Sequence, residues 1–288
     1  MQTIERYVRP GSLEEAAELL RAGNVTMLAG GTDLMPQTRA GRMQFQPVLM
    51  NLRRVPELHG IAEEGGVVRI GALVTITELR DSALVRGRLG LLWQACDHFA
   101  SDQIRNAATI GGNICNASPA GDTLVPLLAL DARVVLASKP YGKMEKRRVA
   151  LGDFFTGPGK TVRRPPELLA AVEVPLPPRG FAGEFYKHGT RPGLDISAIA
   201  IAAGAVLEGK KLTQVRIAFG AVAPTPIRAP RTEAALEGHA LDAATLDAAA
   251  DAALAEIHPI SDVRASEWYR RELVRNMLKR VISHVGQL

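Results

Sequence analysis

Thr109-Ile110-Gly111-Gly112-Asn113, in the middle of FASDQIRNAATIGGNICNASPAGD from Phe99 to Asp122, is the stretch on which the reading of the fold turns. Two adjacent residues without Cβ let a backbone adopt conformations closed to other residues and let a ligand approach the main chain. N–H groups gathered at such a turn form a concavity of anion size. A second stretch of the same character lies upstream, Leu28-Ala29-Gly30-Gly31-Thr32-Asp33-Leu34. One Gly-Gly pair alone is most often a turn. Two of them, each with hydrogen-bonding neighbours (Thr32 and Asp33; Thr109 and Asn113), suit the two phosphates of a dinucleotide held from opposite sides. On that basis the sequence reads as a flavin-binding chain.

The residues around the glycines divide by chemistry. A phosphate held on backbone N–H groups also gains the partial positive charge of a nearby helix N-terminus, worth roughly 0.3–1 kcal/mol when exposed. The Thr32 and Thr109 hydroxyls add direction without charge, and Asn113 can donate or accept, which suits a phosphate or a flavin ring edge. Asp122 has two readings: an N-cap for a helix starting at Thr123, or an acceptor for ribose hydroxyls. Asp33 is either a helix cap or a structural brace, because a carboxylate aimed at a pyrophosphate would repel it.

Outward from these loops, the chain reads as a series of short elements. Ser12-Leu13-Glu14-Glu15 predicts a capping box, Leu13, Ala16, Ala17 and Leu20 form an apolar helical stripe, and Gly23 ends the helix. Strands at 25–29 and 48–52 complete a parallel βαβ-like unit. Pro56 to Gly60 reads as a hinge. Strand-like Val67–Ala72, helices at 75–84 and 89–99, a buried helix at 123–130 and a strand at 133–137 follow. A second break falls at 175–180. Beyond it come Glu184–His188, the apolar run Ser197–Leu207, which fits a strand buried on both faces, and Val215–Val222. Helices at 231–236, 243–257 and 266–285 close the chain, the last with Leu273, Met277 and Val281 on one stripe.

Composition excludes several classes. Of 288 residues, 47% are hydrophobic and 23% charged, which supplies a core and argues against disorder. No apolar run is long enough to span a bilayer, MQTIERYVRP lacks the apolar core of a secretory signal, and two cysteines cannot make a disulfide framework. A cytoplasmic protein is the expectation. Lys139–Arg148 (KPYGKMEKRR) reads as a solvated hairpin tip, and with only 5% aromatics a nucleic-acid surface is not expected. Gly157-Pro158-Gly159-Lys160-Thr161 imitates the end of a P-loop. Its first glycine position holds Phe154, and Pro158 removes a needed N–H. No Rossmann Gly-x-Gly-x-x-Gly occurs. The six histidines do not pair at i, i+4 or cluster with cysteine, so no metal site and no catalytic residue is assigned, and two cysteines are too few for a four-cysteine iron–sulfur cluster.

Three motifs in order, Ala29 to Leu34, Thr109 through Asp122, and Gly220-Ala221-Val222-Ala223-Pro224-Thr225-Pro226-Ile227-Arg228, resemble the FAD-binding medium subunit of the molybdenum hydroxylases, the xanthine dehydrogenase and carbon monoxide dehydrogenase family. The resemblance covers nearly the whole chain. It implies an α+β, vanillyl-alcohol oxidase/PCMH-type FAD-binding fold of two α+β subdomains (1–58, βαβ-like, and 59–177), followed by a C-terminal antiparallel sheet with a helical bundle (178–288). By motif position it implies that Leu28, Ala29, Gly30, Gly31, Thr32, Asp33 and Leu34 line the cofactor from one side and Thr109, Gly112 and Asn113 from the other. Phe99, Ala100 and Ile104 would lie near the adenine or ribose, Asp122 would bind the adenosine half, and Leu169 and Lys187 would stand close by. Ile196 would lie near the isoalloxazine face, where some relatives carry Tyr.

The implied role is electron transfer. A large subunit with the molybdopterin cofactor would hydroxylate the substrate, and a small [2Fe–2S] subunit would relay electrons. FAD on this chain would then pass them to an external acceptor, within a dimer of heterotrimers, a heterohexamer. The basic surface and an exposed apolar face of the last helix would be docking surface. The hydroxybenzoyl-CoA type, with its cysteine-rich insertion for a [4Fe–4S] cluster, does not match. Two other readings stand beside this one: a self-sufficient flavin-dependent oxidoreductase of related fold, of the enolpyruvoyl-glucosamine reductase type, and a cofactor-free scaffold in which the glycines are only turns.

Overall fold

Local signals set the first unit of the computed structural model, which describes residues 4–191 and 193–287. The first three residues of the N-terminal stretch, Met1 to Thr3, lie outside the described part. β1 (Arg6–Val8), α1 (Leu13–Ala22), β2 (Val25–Leu28), α2 (Leu34–Arg39) and β3 (Val48–Asn51) follow in order. They form a parallel sheet of order β1-β3-β2. Ser12 caps α1 by accepting the Glu15 N–H, but the Glu15 carboxylate reaches back to the Gly11 N–H, not to that of Ser12. The capping box is therefore displaced by one residue. Leu13, Ala16, Ala17 and Leu20 are buried as the stripe required, against Met50 and Leu52 and also against Ala137, Leu168 and Ala170 of the next sheet. Pro56–Leu58 is a short 3₁₀ turn with Leu58 fully buried, so the expected hinge is a packed junction.

The second sheet, of order β4-β5-β10-β6-β7, is antiparallel throughout. In chain order its region contains β4 (Ile61–Glu64), β5 (Val67–Gly71), α3 (Ile76–Asp81), α4 (Ala83–Arg88), α5 (Gly90–Asp97), α6 (Asp102–Arg105), α7 (Ile110–Asn116), α8 (Leu124–Ala129), β6 (Arg133–Ser138), β7 (Glu145–Ala150), α9 (Leu151–Phe154), β8 (Phe155–Gly157), β9 (Lys160–Thr161) and β10 (Leu168–Pro175). The helix expected at 75–84 is split because Ser82 caps a new helix by accepting the Val85 N–H. The basic stretch 139–148 is only partly a hairpin tip. Arg147 and Arg148 lie on β7 and pair with Glu167 and Glu173, and Lys139 pairs with Glu14. The P-loop imitation is the β8–β9 hairpin, and its Gly159 N–H donates to the carbonyl of Ala117 at the end of α7.

The third sheet is an antiparallel meander of β11 (Phe181–His188), β12 (Ile199–Glu208), β13 (Lys211–Gly220) and β14 (Ile227–Arg228). Side chains alternate across a strand. On β12, Ile199, Ile201 and Ala203 enter one core, and Ala200 and Ala202 enter the core shared with the second sheet's helices, so both faces are buried as expected. α10 (Pro230–Leu236), α11 (Ala243–Glu256) and α12 (Glu267–Val285) cover the first of these faces. Leu273, Val274, Leu278, Val281 and Ile282 of α12 are buried there. The apolar face of the last helix is thus core, not docking surface: burying a stripe of this size against a sheet is strongly favourable, about 25 cal/mol per Å².

Gly220 to Arg228 joins the third unit to the second. A Cβ on Gly220 would lie 2.6 Å from the Val125 side chain, the Ala221 N–H donates to Pro119, and the Arg228 guanidinium donates to the Leu128 carbonyl (3.2 Å) and pairs with Asp131. Arg270, buried on α12, donates to the carbonyls of Ala198 (2.8 Å) and Ala221 and pairs with Asp262 at 2.6 Å. Burial pushes the Asp262 carboxyl up, but the N–H groups of Arg264 and Ala265 and the Arg270 guanidinium outweigh it and hold the carboxyl down to about 2. A lowered carboxyl contributes stability that is present above its unfolded value and lost as pH falls toward about 2. Arg270→Met is therefore expected to cost roughly 1.5–3 kcal/mol at neutral pH. Urea titrations should show that deficit narrowing in acid.

Candidate functional site

The two glycine stretches meet. An added Cβ on Gly30 would lie 2.0 Å from the Ala107 carbonyl oxygen and 3.1 Å from the Ala108 Cα, so the first loop packs backbone to backbone on the residues leading into Thr109. Only glycine permits that approach. Gly31 takes φ +75°, the left-handed region that disfavours side chains, and bends the chain into α2. Gly111 and Gly112 behave differently from the turn expected of them: they form the first turn of α7, with Thr109 as N-cap. Gly111 is needed because its Cβ would lie 2.7 Å from Ala72, where residues 72–76 run alongside 108–111.

Hydrogen bonding then separates the two sides. At the start of α7, the N–H groups of Ile110, Gly111, Gly112 and Asn113 donate to the Val74 and Ala72 carbonyls, the Thr109 Oγ1 and the Thr109 carbonyl. In the first loop, the N–H groups of Gly30, Gly31, Thr32, Asp33 and Leu34 donate to no described residue. Five consecutive N–H groups without an acceptor among the described residues, at a bend half-buried but for Asp33, are donors available to an anion; α7 offers side chains instead. The Thr109 hydroxyl accepts from Gly112 and keeps its own proton to give. Asn113 accepts from the Thr123 hydroxyl (2.6 Å) and keeps its amide N–H groups free among the described residues. Asp33 is exposed and does not cap α2; its carboxylate accepts from Gln37, which also donates to Asn116 (3.2 Å), so Asp33 is a brace.

The remaining residues named from the sequence are tied together by their own contacts. The Arg105 guanidinium donates to the carbonyls of Phe99 and Ala100 and fixes Ala100 at φ +40°, while Ile104 is half-buried on α6. Asp122 caps no helix. Its buried carboxylate accepts from Lys187 (2.7 Å) and Ser197 (3.1 Å), and Lys187 also reaches the His98 carbonyl at 3.5 Å, next to Phe99. Burial pushes the Asp122 carboxyl up, against the ammonium of Lys187 and the Ser197 hydroxyl, which pull it down. Ile196, 49% exposed, adjoins Ser197. Leu169 is buried on β10, the strand against which α7 packs, at the bulge between Leu169 and Ala171. Direct contacts thus link Gly30 to Ala107 and Ala108, and Asp122 through Lys187 to His98 beside Phe99 and through Ser197 to the neighbour of Ile196, while Leu169 lies on the strand behind α7. Sequence reasoning missed Arg105 and Ser197, for which the only available signal was their closeness to Phe99 and Ile196.

The five free donors, the close backbone approach at Gly30 and the flanking Thr and Asn side chains fit an elongated diphosphate ligand. Two glycine stretches that meet in this way, in an α+β protein, have the make-up of a dinucleotide-cofactor protein. Residues 2–177 match the family described as the FAD binding domain in molybdopterin dehydrogenase, and residues 184–285 match the CO dehydrogenase flavoprotein C-terminal domain. The xanthine dehydrogenase FAD-binding subunit of Escherichia coli O157:H7 is 36% identical over 280 residues, 96% of this chain and 94% of that protein. The carbon monoxide dehydrogenase medium chain of Hydrogenophaga pseudoflava is 33% identical over 279 residues, 96% and 95% of the two chains. A chain of the reconstituted CO dehydrogenase from Oligotropha carboxidovorans superposes with a TM-score of 0.93 at 32% identity, covering 99% of this chain and 98% of that one. The chain belongs to the FAD-binding medium subunits of the molybdenum hydroxylases, and is an oxidoreductase subunit. No helix among its described residues is long and apolar enough to cross a membrane.

Proposed function

We propose that this chain receives electrons from the [2Fe–2S] clusters of a small partner subunit and delivers them, through FAD held between the two glycine stretches, to an external acceptor. A large partner subunit with the molybdopterin cofactor would oxidise the substrate, in a dimer of such heterotrimers. The observation that carries the reading is the run of free N–H groups from Gly30 to Leu34, packed directly against the entry to α7.

The chain's own residues bind and orient. The loop N–H groups would hold the pyrophosphate, with Thr32 and Thr109 donating from either side. Leu28, Ala29 and Leu34 would line the first wall, and Gly112 and Asn113 the second. Phe99, Ala100 and Ile104, on the segment clamped by Arg105, would border the adenosine. Asp122, with its carboxylate fixed by Lys187 and Ser197, would keep one acceptor edge toward the ligand, and Leu169 would support α7 from the core. Ile196 would cover the ring face without offering a proton. FAD, when bound, supplies one-electron acceptance and two-electron release, and the protein supplies position and electrostatics.

The test is reconstitution. The purified chain is expected to take up one FAD and to show no turnover of an organic substrate until its companion subunits are added. A chain that stays colourless in excess FAD overturns the reading, and turnover by the isolated flavoprotein would transfer it to the self-sufficient class.

A further inference from the structure

We infer that the outer face of α2 and the bend after it, Met35 to Met43, is the docking surface for an acidic-faced electron-carrying polypeptide. This rests on the electron-transfer reading above and assigns a place to the partner that reading requires. α2 buries none of its residues, and every residue from Arg39 to Gln44 is exposed. Met35 and Met43 are 46% and 42% exposed, and Arg39 stands one turn from Met35 on the same helix face. Between Leu34 and Pro56 the sequence has no Asp or Glu. Among the described residues no carboxylate lies within ion-pair distance of Arg39 or Arg42.

A six-residue helix with no buried stripe is not stabilised by packing, and helices this short are marginal in isolation. This one is held at its ends. Gln37 ties it to Asp33 and Asn116, and the N–H groups of Ala40, Gly41 and Arg42 close its C-terminus around Gly41 at φ +68°. The outer side chains take no part in that anchoring. Several other arginines, by contrast, are neutralised: Arg147, Arg148, Arg228 and Arg270 all face carboxylates. An Arg pair without a carboxylate partner, flanked by adaptable Met side chains, has the composition of an interface centre, in which Met and Arg are enriched. Its charge selects a partner with carboxylates around an apolar patch and steers that partner's approach. The Met35 Cγ lies 3.7 Å from where a Gly31 Cβ would stand, so a partner on this face abuts the same bend that carries the free N–H groups.

The test compares the FAD-loaded chain with Arg39→Glu/Arg42→Glu, Arg39→Gln/Arg42→Gln and Lys143→Glu, the last an exposed reversal on the β6–β7 hairpin. Binding of the purified [2Fe–2S] subunit is followed by surface plasmon resonance over a range of salt. The expected result is about tenfold weaker binding for the Glu pair, mainly in association rate and with a shallower salt dependence, and a smaller loss for the Gln pair. Lys143→Glu should match wild type, and FAD content should be equal in all four. Unchanged binding by the Glu pair overturns the inference while leaving the flavoprotein reading intact. So does a loss confined to the large subunit or to self-association, or a loss equalled by Lys143→Glu. A wild-type chain without FAD overturns the flavoprotein reading itself.

Discussion

Gly30→Ala is expected to lower FAD affinity at least tenfold while leaving the fold recognisable by circular dichroism. The added Cβ would lie 2.0 Å from the Ala107 carbonyl oxygen, well inside contact distance, and neither atom belongs to a side chain that can rotate away. The first loop must therefore retreat from α7 and carry its free donors with it. Overpacking of this kind costs about 1–3 kcal/mol, and tenfold in affinity corresponds to about 1.4 kcal/mol. Gly87→Ala provides the control, because its added methyl meets nothing within 4 Å and its φ is not in the left-handed region. That control should bind FAD normally and be neutral or slightly stabilised. Isothermal titration with FAD, with thermal denaturation in parallel, separates the two. Equal affinity in wild type and Gly30→Ala would mean that the crevice between the loops is not where FAD lies.

Lys187→Met should be the most destabilising single change among the candidate site residues, by about 3–5 kcal/mol at neutral pH, because it leaves the Asp122 carboxylate buried without its cation. Both side chains are only 11% exposed, so solvent screens the pair little. The pH dependence has a definite sign. Burial pushes the Asp122 carboxyl above its ordinary range, so in the window between the unfolded and folded values the native state binds more protons than the unfolded chain. Stability then falls as pH rises through that window. Removing Lys187 widens the window, and the variant's deficit should shrink on acidification as Asp122 becomes neutral. Asp122→Asn/Lys187→Met should recover much of the loss. Urea unfolding of the four members of the cycle at neutral and mildly acidic pH measures this. A deficit independent of pH, or a double variant no better than Lys187→Met, would show that the pair matters through packing and not charge.

The parts of the fold that were legible depend on neighbours in sequence. Leu13, Ala16, Ala17 and Leu20 announced a helix with one buried face, and the run around Ile199–Ala205 announced a strand covered on both sides. In both cases the pattern of burial repeats with the element's own period. The resemblance carried by the three motifs supplied the α+β architecture and the cofactor, and the family match bears it out. Where local reading failed, a distant partner had intervened. Gly111-Gly112 reads as a turn until residues 72–76 dock alongside and allow Thr109 to start a helix there. The stripe on α12 reads as available surface until β12 covers it.

Sequence alone determined where this chain bends, which segments have a face to bury, and that two glycine stretches could serve one ligand. Those properties reside in single residues and short periods: the missing Cβ, the capping hydroxyl, the spacing of apolar side chains. Tertiary structure alone decided that the N–H groups of Gly30–Leu34 stay free while those of Ile110–Asn113 are taken, and that Asp122 faces Lys187, 65 positions away, instead of a helix end. Which donor is left over depends on every other group that could have claimed it, and those groups are assembled only when the three sheets pack.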